Sequence, residues 1–372
     1  MSARRITGLL TLASALGVVA CGGGTAEGTT ARKLPPADPR AVEKYVQGSA
    51  LLSNAGTTDA ARAGALLREA LAIDPNLWEA HYNLGVLHRQ QGELGPAIDA
   101  LRAALETQPA AVEARLALAE AEHAQGDLEA CAEVLEQHLA AHADDQAARV
   151  ALTAVLREQG KHEEALAQAR TVLVRDPKSV AALLEVGRVY REQDELDVAE
   201  LVFGRAKSMD EKNPRPHNEL GLTALARGDT QLAFQHFEAA LAADGSFSPA
   251  RMNRASVLLQ AGDYAGAAEA YRQVLGKDPL HDAAAVGLAI ALRGQGQHAQ
   301  ALTEYERVLA RSPRLSDAWF DVGVLKADFL DRPREAVEAF EHFLELTHDD
   351  AQRTRAERYV EQLDARSKAA TP

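Results

Sequence analysis

Residues 78–111 read WEAHYNLGVLHRQQGELGPAIDALRAALETQPAA, and this stretch decides the fold. Small or apolar residues at Ala80, Leu84 and Leu87 recur at helical spacing as far as Gln91. Gly92 stops that helix, because glycine accepts the left-handed conformation that a helix end needs. Glu93 follows, and an acid in the first turn of the next helix suits its positive end. The second helix carries Ala97, Leu101 and Ala104 on one face, and Pro109 marks its end. The unit is a helix, a tight turn and a helix.

The unit recurs along the chain. Ala97, Cys131, Ala165, Ala199, Ala233, Ala267 and Ala301 stand 34 residues apart. A turn row keeps the same step: Gly92, Gly126, Gly160, Asp194, Gly228, Gly262 and Gly296. Asp127, Glu195, Asp229 and Asp263 repeat the acid of Glu93, and Pro75, Pro177, Pro279 and Pro313 repeat the closing proline. Such a period means a solenoid, whose stacked units make a long surface rather than a catalytic pocket. The small residue lets two helices approach closely. Four residues on comes a larger side chain: Leu67, Leu101, Leu135, Phe203, Phe237, Tyr271 and Tyr305, with Ala169 the exception. Cys131 occupies a small-residue slot and reads as a buried hydrophobe rather than a reactive thiol.

These rows resemble the tetratricopeptide repeat. The matching residues are the turn glycine, the second-helix alanine, the aromatic four on, the closing proline and a first-helix pair. That pair is Leu84-Gly85, Val186-Gly187, Leu220-Gly221 and Val322-Gly323. The resemblance implies an all-α, right-handed superhelical solenoid of about nine units over residues 41–350. The first unit has an enlarged turn around Asn54 to Thr58, with Ala63, Leu67 and Pro75 in register. The ninth slips by one residue, to Ala336 and Phe340. Residues 351–372 read as a capping helix, with Ala356, Tyr359, Val360 and Leu363 as its stripe, and a disordered tail.

The resemblance also implies that positions 2, 5, 9 and 12 of each unit line a concave face. Position 5 carries Tyr82, Leu116, Val150, Leu184, Asn218, Met252, Val286 and Phe320. Position 12 carries Arg89, His123, Arg157 and Arg191, with Arg293 further on; Arg188 and Arg215 join from positions 9 and 2. A basic strip beside an apolar one would suit an extended or helical peptide carrying carboxylates. The alternative is that these arginines solvate a helix face, with Glu158 and Glu192 neutralising their neighbours.

Met1–Ala20 stands outside the repeats. Arg4 and Arg5 precede an uncharged, largely apolar run from Ile6 to Ala20, too short for a comfortable membrane span. It ends Val18-Val19-Ala20-Cys21, which looks like a bacterial lipoprotein signal with its lipobox. The resemblance implies cleavage before Cys21 and lipid attachment there. An ordinary signal peptide with an incidental cysteine is the alternative. The arginine pair also opens a twin-arginine export reading, although the rest of that motif is weak. Residues 21–40 form the expected tether, with Gly22-Gly23-Gly24 and Pro35-Pro36. Gly22 in place of an aspartate implies the outer membrane under enterobacterial-type sorting, with the inner membrane as the alternative.

The net charge of −14 and aromatic content of 5 % argue against a nucleic-acid partner. His342, Glu345 and His348 lack a supporting metal ligand, and His162-Glu163-Glu164 lacks the second histidine of a zinc protease motif. No cofactor, metal or small-molecule substrate is expected. The expected function is a non-catalytic, membrane-tethered scaffold for other cell-envelope proteins. Similar lipoproteins serve gliding motility, secretion or pilus machines, assemble secretins as pilotins, or adapt and regulate cell-wall enzymes. Two rival classes are an enzyme with an unseen site and a carrier of hydrophobic ligands.

Overall fold

The computed structural model describes residues 36–52 and 57–369. The leader, Cys21, most of the tether and the centre of the first unit's enlarged turn lie outside the described residues. Among those described, nineteen helices and no strand occur. They fall into two compact units, the first ending at Glu185 and the second starting at Val186.

The first unit holds α1 (Pro39–Leu52), α2 (Thr57–Ile73), α3 (Trp78–Gln91), α4 (Leu94–Thr107), α5 (Val112–Gln125), α6 (Leu128–Ala141), α7 (Gln146–Glu158) and α8 (His162–Arg175). The boundary falls within α9 (Val180–Glu192). The second unit continues with α10 (Leu196–Met209), α11 (Pro214–Ala226), α12 (Thr230–Ala243), α13 (Ser248–Gln260) and α14 (Tyr264–Lys277). It ends with α15 (Asp282–Gly294), α16 (His298–Leu309), α17 (Ser316–Asp328), α18 (Pro333–Leu346) and α19 (Asp350–Ala369). Each of the nine pairs from α1/α2 to α17/α18 is one repeat. Within each unit alternate helices also touch, as α3 with α5 and α11 with α13.

The 34-residue rows are the contact between the two helices of a pair. Every member of the alanine row is buried, Cys131 included. Burial pushes the Cys131 thiol up to about 11, helped by the nearby charges of Glu122 and Glu158, so it stays protonated. The larger residue four on lies over a small residue of the pair's first helix. A Cβ on Gly187 would sit 2.4 Å from the ring of Phe203, and one on Gly221 would sit 2.5 Å from Phe237. Gly85 faces Leu101, and Gly323 faces Phe340, in the same way. Where the large residue is Tyr271 or Tyr305, the first helix carries buried Ala255 or Ala289. Where it shrinks to Ala169, the first helix carries Thr153. A larger side chain on one helix goes with a smaller one on the other, as close packing requires.

The turn row has positive φ throughout, 79° at Gly92 and 63° at Asp194, the one residue of the row with a side chain. The acid after it is not in the first turn of the second helix but caps it. Asp127, Asp229 and Asp263 accept hydrogen bonds from the backbone N–H three residues on. Glu93 and Glu195 make no such bond. Glu93 instead holds His88 Nδ1 at 2.5 Å. The ninth repeat has a longer turn, with Asp331 at φ 51°, and this accounts for its one-residue slip.

At the end of the second unit, α19 extends to Ala369. Tyr359 stacks on Phe340 at 4.8 Å, and Arg355 lies 5.0 Å from the centre of the Phe320 ring. Its buried residues are Ala356 and Leu363.

Gly187→Ala should cost about 1–3 kcal/mol, because the new methyl overlaps a fully buried ring. Adding Phe203→Leu should return part of that loss. Urea unfolding of the single and double variants measures it; a Gly187→Ala protein as stable as the parent would sink the packing account.

Candidate functional site

The position-12 side chains lie on the first helices of the repeats, and each meets a carboxylate of the next repeat's first helix. In the first unit, Arg89 pairs with Glu120 at 2.5 Å and His123 with Glu158 at 2.7 Å. Arg157 reaches Glu185 and Glu158, both at 3.1 Å. The three bases and three acids therefore alternate along α3, α5, α7 and the start of α9. In the second unit, Arg188 and Arg191 bracket Glu219 at 2.7 and 2.5 Å, and Arg293 holds Asp321 at 3.0 Å. The Arg191 guanidinium also lies 5.7 Å from the centre of the Phe203 ring. Arg215 is exposed at the start of α11.

The strip read from the sequence as basic is therefore a ladder of ion pairs. A bound carboxylate would have to share guanidinium groups already engaged by protein. Three of the pairs, Arg157–Glu185, Arg191–Glu219 and Arg293–Asp321, span 28 residues each. That constant separation was available in the sequence, but only beside the arginine row. The acids stand at position 6, outside the positions assigned to the concave face.

Glu219 is the most enclosed acid of the ladder. Burial alone would raise its pKa. The charge of Arg188 and its hydrogen bond, then those of Arg191, outweigh burial and hold the carboxyl below its ordinary value. Glu185 is buried and Arg157 is largely covered, so neither charge is solvated if its partner is removed.

The position-5 row divides. Tyr82, Leu116, Val150, Met252 and Val286 are half-buried and remain open on one side. Leu184, expected in the groove, is only 3 % exposed and belongs to the core. Asn218 is also buried, where it accepts a hydrogen bond from Asn253 Nδ2 at 2.8 Å. Phe320 is also half-buried, with its ring against Phe340, Phe343 and Tyr359.

A second periodic feature escaped sequence reasoning. In five of the nine repeats the fourth residue of the first helix reaches back to the carbonyl six residues earlier and ties down the loop between repeats. His81 bonds Pro75 O at 3.0 Å, Arg149 donates to Ala143 O at 3.0 Å, and Trp319 donates to Pro313 O at 2.8 Å. Arg115 and Arg251 do the same to Pro109 and Gly245. Histidine, arginine and tryptophan share only a long reach and an N–H, so no residue-type pattern announces them.

Elsewhere, an open depression of about 390 Å³ lies where α6 meets α7, lined by Val112, His138, His142, Asp144 and Asp145 among others. His138 Nε2 pairs with Asp145 there at 2.9 Å. His342 lies against Trp319 and 3.8 Å from Glu345. Among the described residues, no group of three His, Cys, Asp or Glu side chains is placed to hold a metal ion. No described helix is long and apolar enough to cross a membrane.

Family models described as tetratricopeptide repeat match residues 45–105, 155–216 and 218–282, with others matching 91–175 and 258–322. No curated protein matches by sequence. The fold is similar to that of Cut9–Hcn1, a hetero-tetramer of the APC/C. The identity is 13 %, over 87 % of this chain and 66 % of that one, with a TM-score of 0.54. Yeast Tom70 matches at 14 % identity, over 89 % and 97 %, with a TM-score of 0.48. A tetratricopeptide repeat protein from Parabacteroides merdae matches at 18 %, over 76 % and 98 %, with a TM-score of 0.44.

Arg157→Met should destabilise the protein by about 3 kcal/mol, because it removes the guanidinium from beside buried Glu185; Arg157→Met with Glu185→Met should cost less. Equal losses in both variants would show that packing, not charge, dominates. The pH dependence has a definite sign. The folded-state pKa of Glu219 is depressed, so its pairing stabilises fully above the ordinary carboxylate range and is lost as pH falls through the depressed value. Glu219→Gln should therefore flatten the acid limb of the stability–pH curve, read by denaturant titration from neutral pH downward. An unchanged limb would contradict the assignment.

Proposed function

This chain belongs to the tetratricopeptide repeat family, and on that premise we propose that it is a non-catalytic, membrane-tethered scaffold holding other cell-envelope proteins in a periplasm-facing assembly. One observation carries the scaffold reading. The buried rows are used in packing one helix on the next, while the same face of successive first helices keeps half-open apolar side chains beside an ion-pair ladder. Such a surface is suited to protein–protein interaction. It offers a docking partner apolar contact at Tyr82, Leu116 and Val150, with charges of both signs alongside.

The tether rests on the sequence Val18-Val19-Ala20-Cys21 and the glycines after it. In this reading Cys21 carries the lipid and the outer membrane is the site. The nine helix pairs suit an extended motility or secretion scaffold, gliding motility included, better than a short pilotin.

Two measurements test the proposal. Cys21→Ser should abolish incorporation of labelled palmitate and move the protein from the membrane to the soluble fraction; a parent chain that takes up no label would remove the tether. Tagged protein recovered from solubilised membranes should bring down defined envelope proteins. Replacing Tyr82 and Leu116 with alanine should reduce their recovery several-fold at unchanged helix content. Full recovery by that variant would place docking on another face.

A further inference from the structure

The two ends of the chain differ. At the C-terminal end, α19 turns Gln352, Glu357, Arg358, Glu361 and Asp364 to solvent. Among the described residues, nothing covers the first helix, α1, in that way. It packs through Ala41, Gly48 and Leu52, with Gly48 close against Leu67. On another face Val42 and Val46 stand 36 % and 56 % exposed, and Ala50 is exposed one turn further on. These three residues, four apart, make an apolar stripe on the outermost helix. In later repeats the corresponding side of the first helix is covered by the preceding repeat, as Ser49 covers Asn83 with a 2.8 Å hydrogen bond. Terminal repeats normally need a polar outer face.

We propose that this stripe rests on a phospholipid surface and orients the repeats with their N-terminal end toward the bilayer. The inference depends on the tethering at Cys21 proposed above. It is argued from the length of chain between that residue and α1. Seventeen residues lie between Cys21 and Pro39, and even a fully extended chain of that length spans no more than about 60 Å. Val42 and Val46 stand three and seven residues into α1, within about 10 Å of its start along the helix axis. A lipid at Cys21 therefore holds the stripe at high effective concentration against the membrane. A contact too small to recruit the protein by itself becomes populated once tethered. Arg40 is paired with Asp38 at 2.9 Å and Lys44 with Glu69 at 2.7 Å, which leaves the single exposed carboxylate of Glu43, held by Gln47, beside the stripe. The stripe is far smaller than a stable soluble dimer needs, which disfavours a second copy as its occupant.

Amide hydrogen exchange tests this. The chain from Cys21 onward keeps every described residue. It is coupled through the Cys21 thiol to maleimide-bearing vesicles of phosphatidylethanolamine and phosphatidylglycerol. Buried Cys131 does not compete for coupling. On coupling, α1 amides should exchange about five- to tenfold more slowly while α19 amides stay unchanged. Val46→Asp, at an exposed position, should remove the slowing. Equal α1 exchange in free and coupled protein overturns the proposal. So does slowing that grows with the density of coupled chains at fixed lipid, which identifies a second copy as the cover. Mass analysis of the Cys21 peptide from native membranes reads the tether separately. An unmodified Cys21 would refute the tether and leave the vesicle result to decide the lipid contact.

Discussion

The structure depends on one steric fit: a buried ring or leucine on the second helix of each repeat, seated over a residue with little or no side chain on the first. Phe203 over Gly187 and Phe237 over Gly221 are two such instances. Close approach of two helix backbones fixes the geometry of the pair, and the pair is the only building block. The same fit is met with other volumes, as Leu101 over Gly85, Tyr271 with Ala255, and Ala169 with Thr153. What recurs within this chain is the size complementarity of the two side chains, not the identity of either.

Three kinds of polar contact act on that frame at different places. Aspartates cap the second helices, long donors at the fourth position tie the loops, and the ion-pair ladder joins successive first helices. The ladder limits function as well as stability. Its guanidinium groups are positioned and partly desolvated by Glu185, Glu219 and Asp321, so the row carries no surplus of positive charge. A peptide carboxylate bound there would exchange with one of these protein carboxylates.

Much of this was legible from local pattern. The turn glycines, the alanine row, the closing prolines, the slip at Ala336 and the presence of a capping helix follow from side-chain size and backbone conformation, which act within one repeat. The acid after each turn was recognised but placed wrongly, since a one-residue shift separates a capping side chain from one in the first turn. Leu184 was assigned to the groove because its repeat position matches Tyr82 and Leu116, yet it is closed off by its surroundings. Position in a period predicts direction along a helix. It does not predict how much of that direction a neighbour covers.

By itself the sequence determined the period, the number of helix pairs, the rows that pack and the residues that break helices, because each depends on contacts within a few tens of residues. It also contains the leader and Cys21, whose reading rests on sequence alone. Only the tertiary structure decided that the arginine row is neutralised, that the position-4 side chains hold the loops, and that Leu184 and Asn218 are enclosed while Val42 and Val46 are not. Those outcomes depend on which side chain of a neighbouring repeat lies within hydrogen-bond or van der Waals reach, a distance that spacing along the chain does not encode.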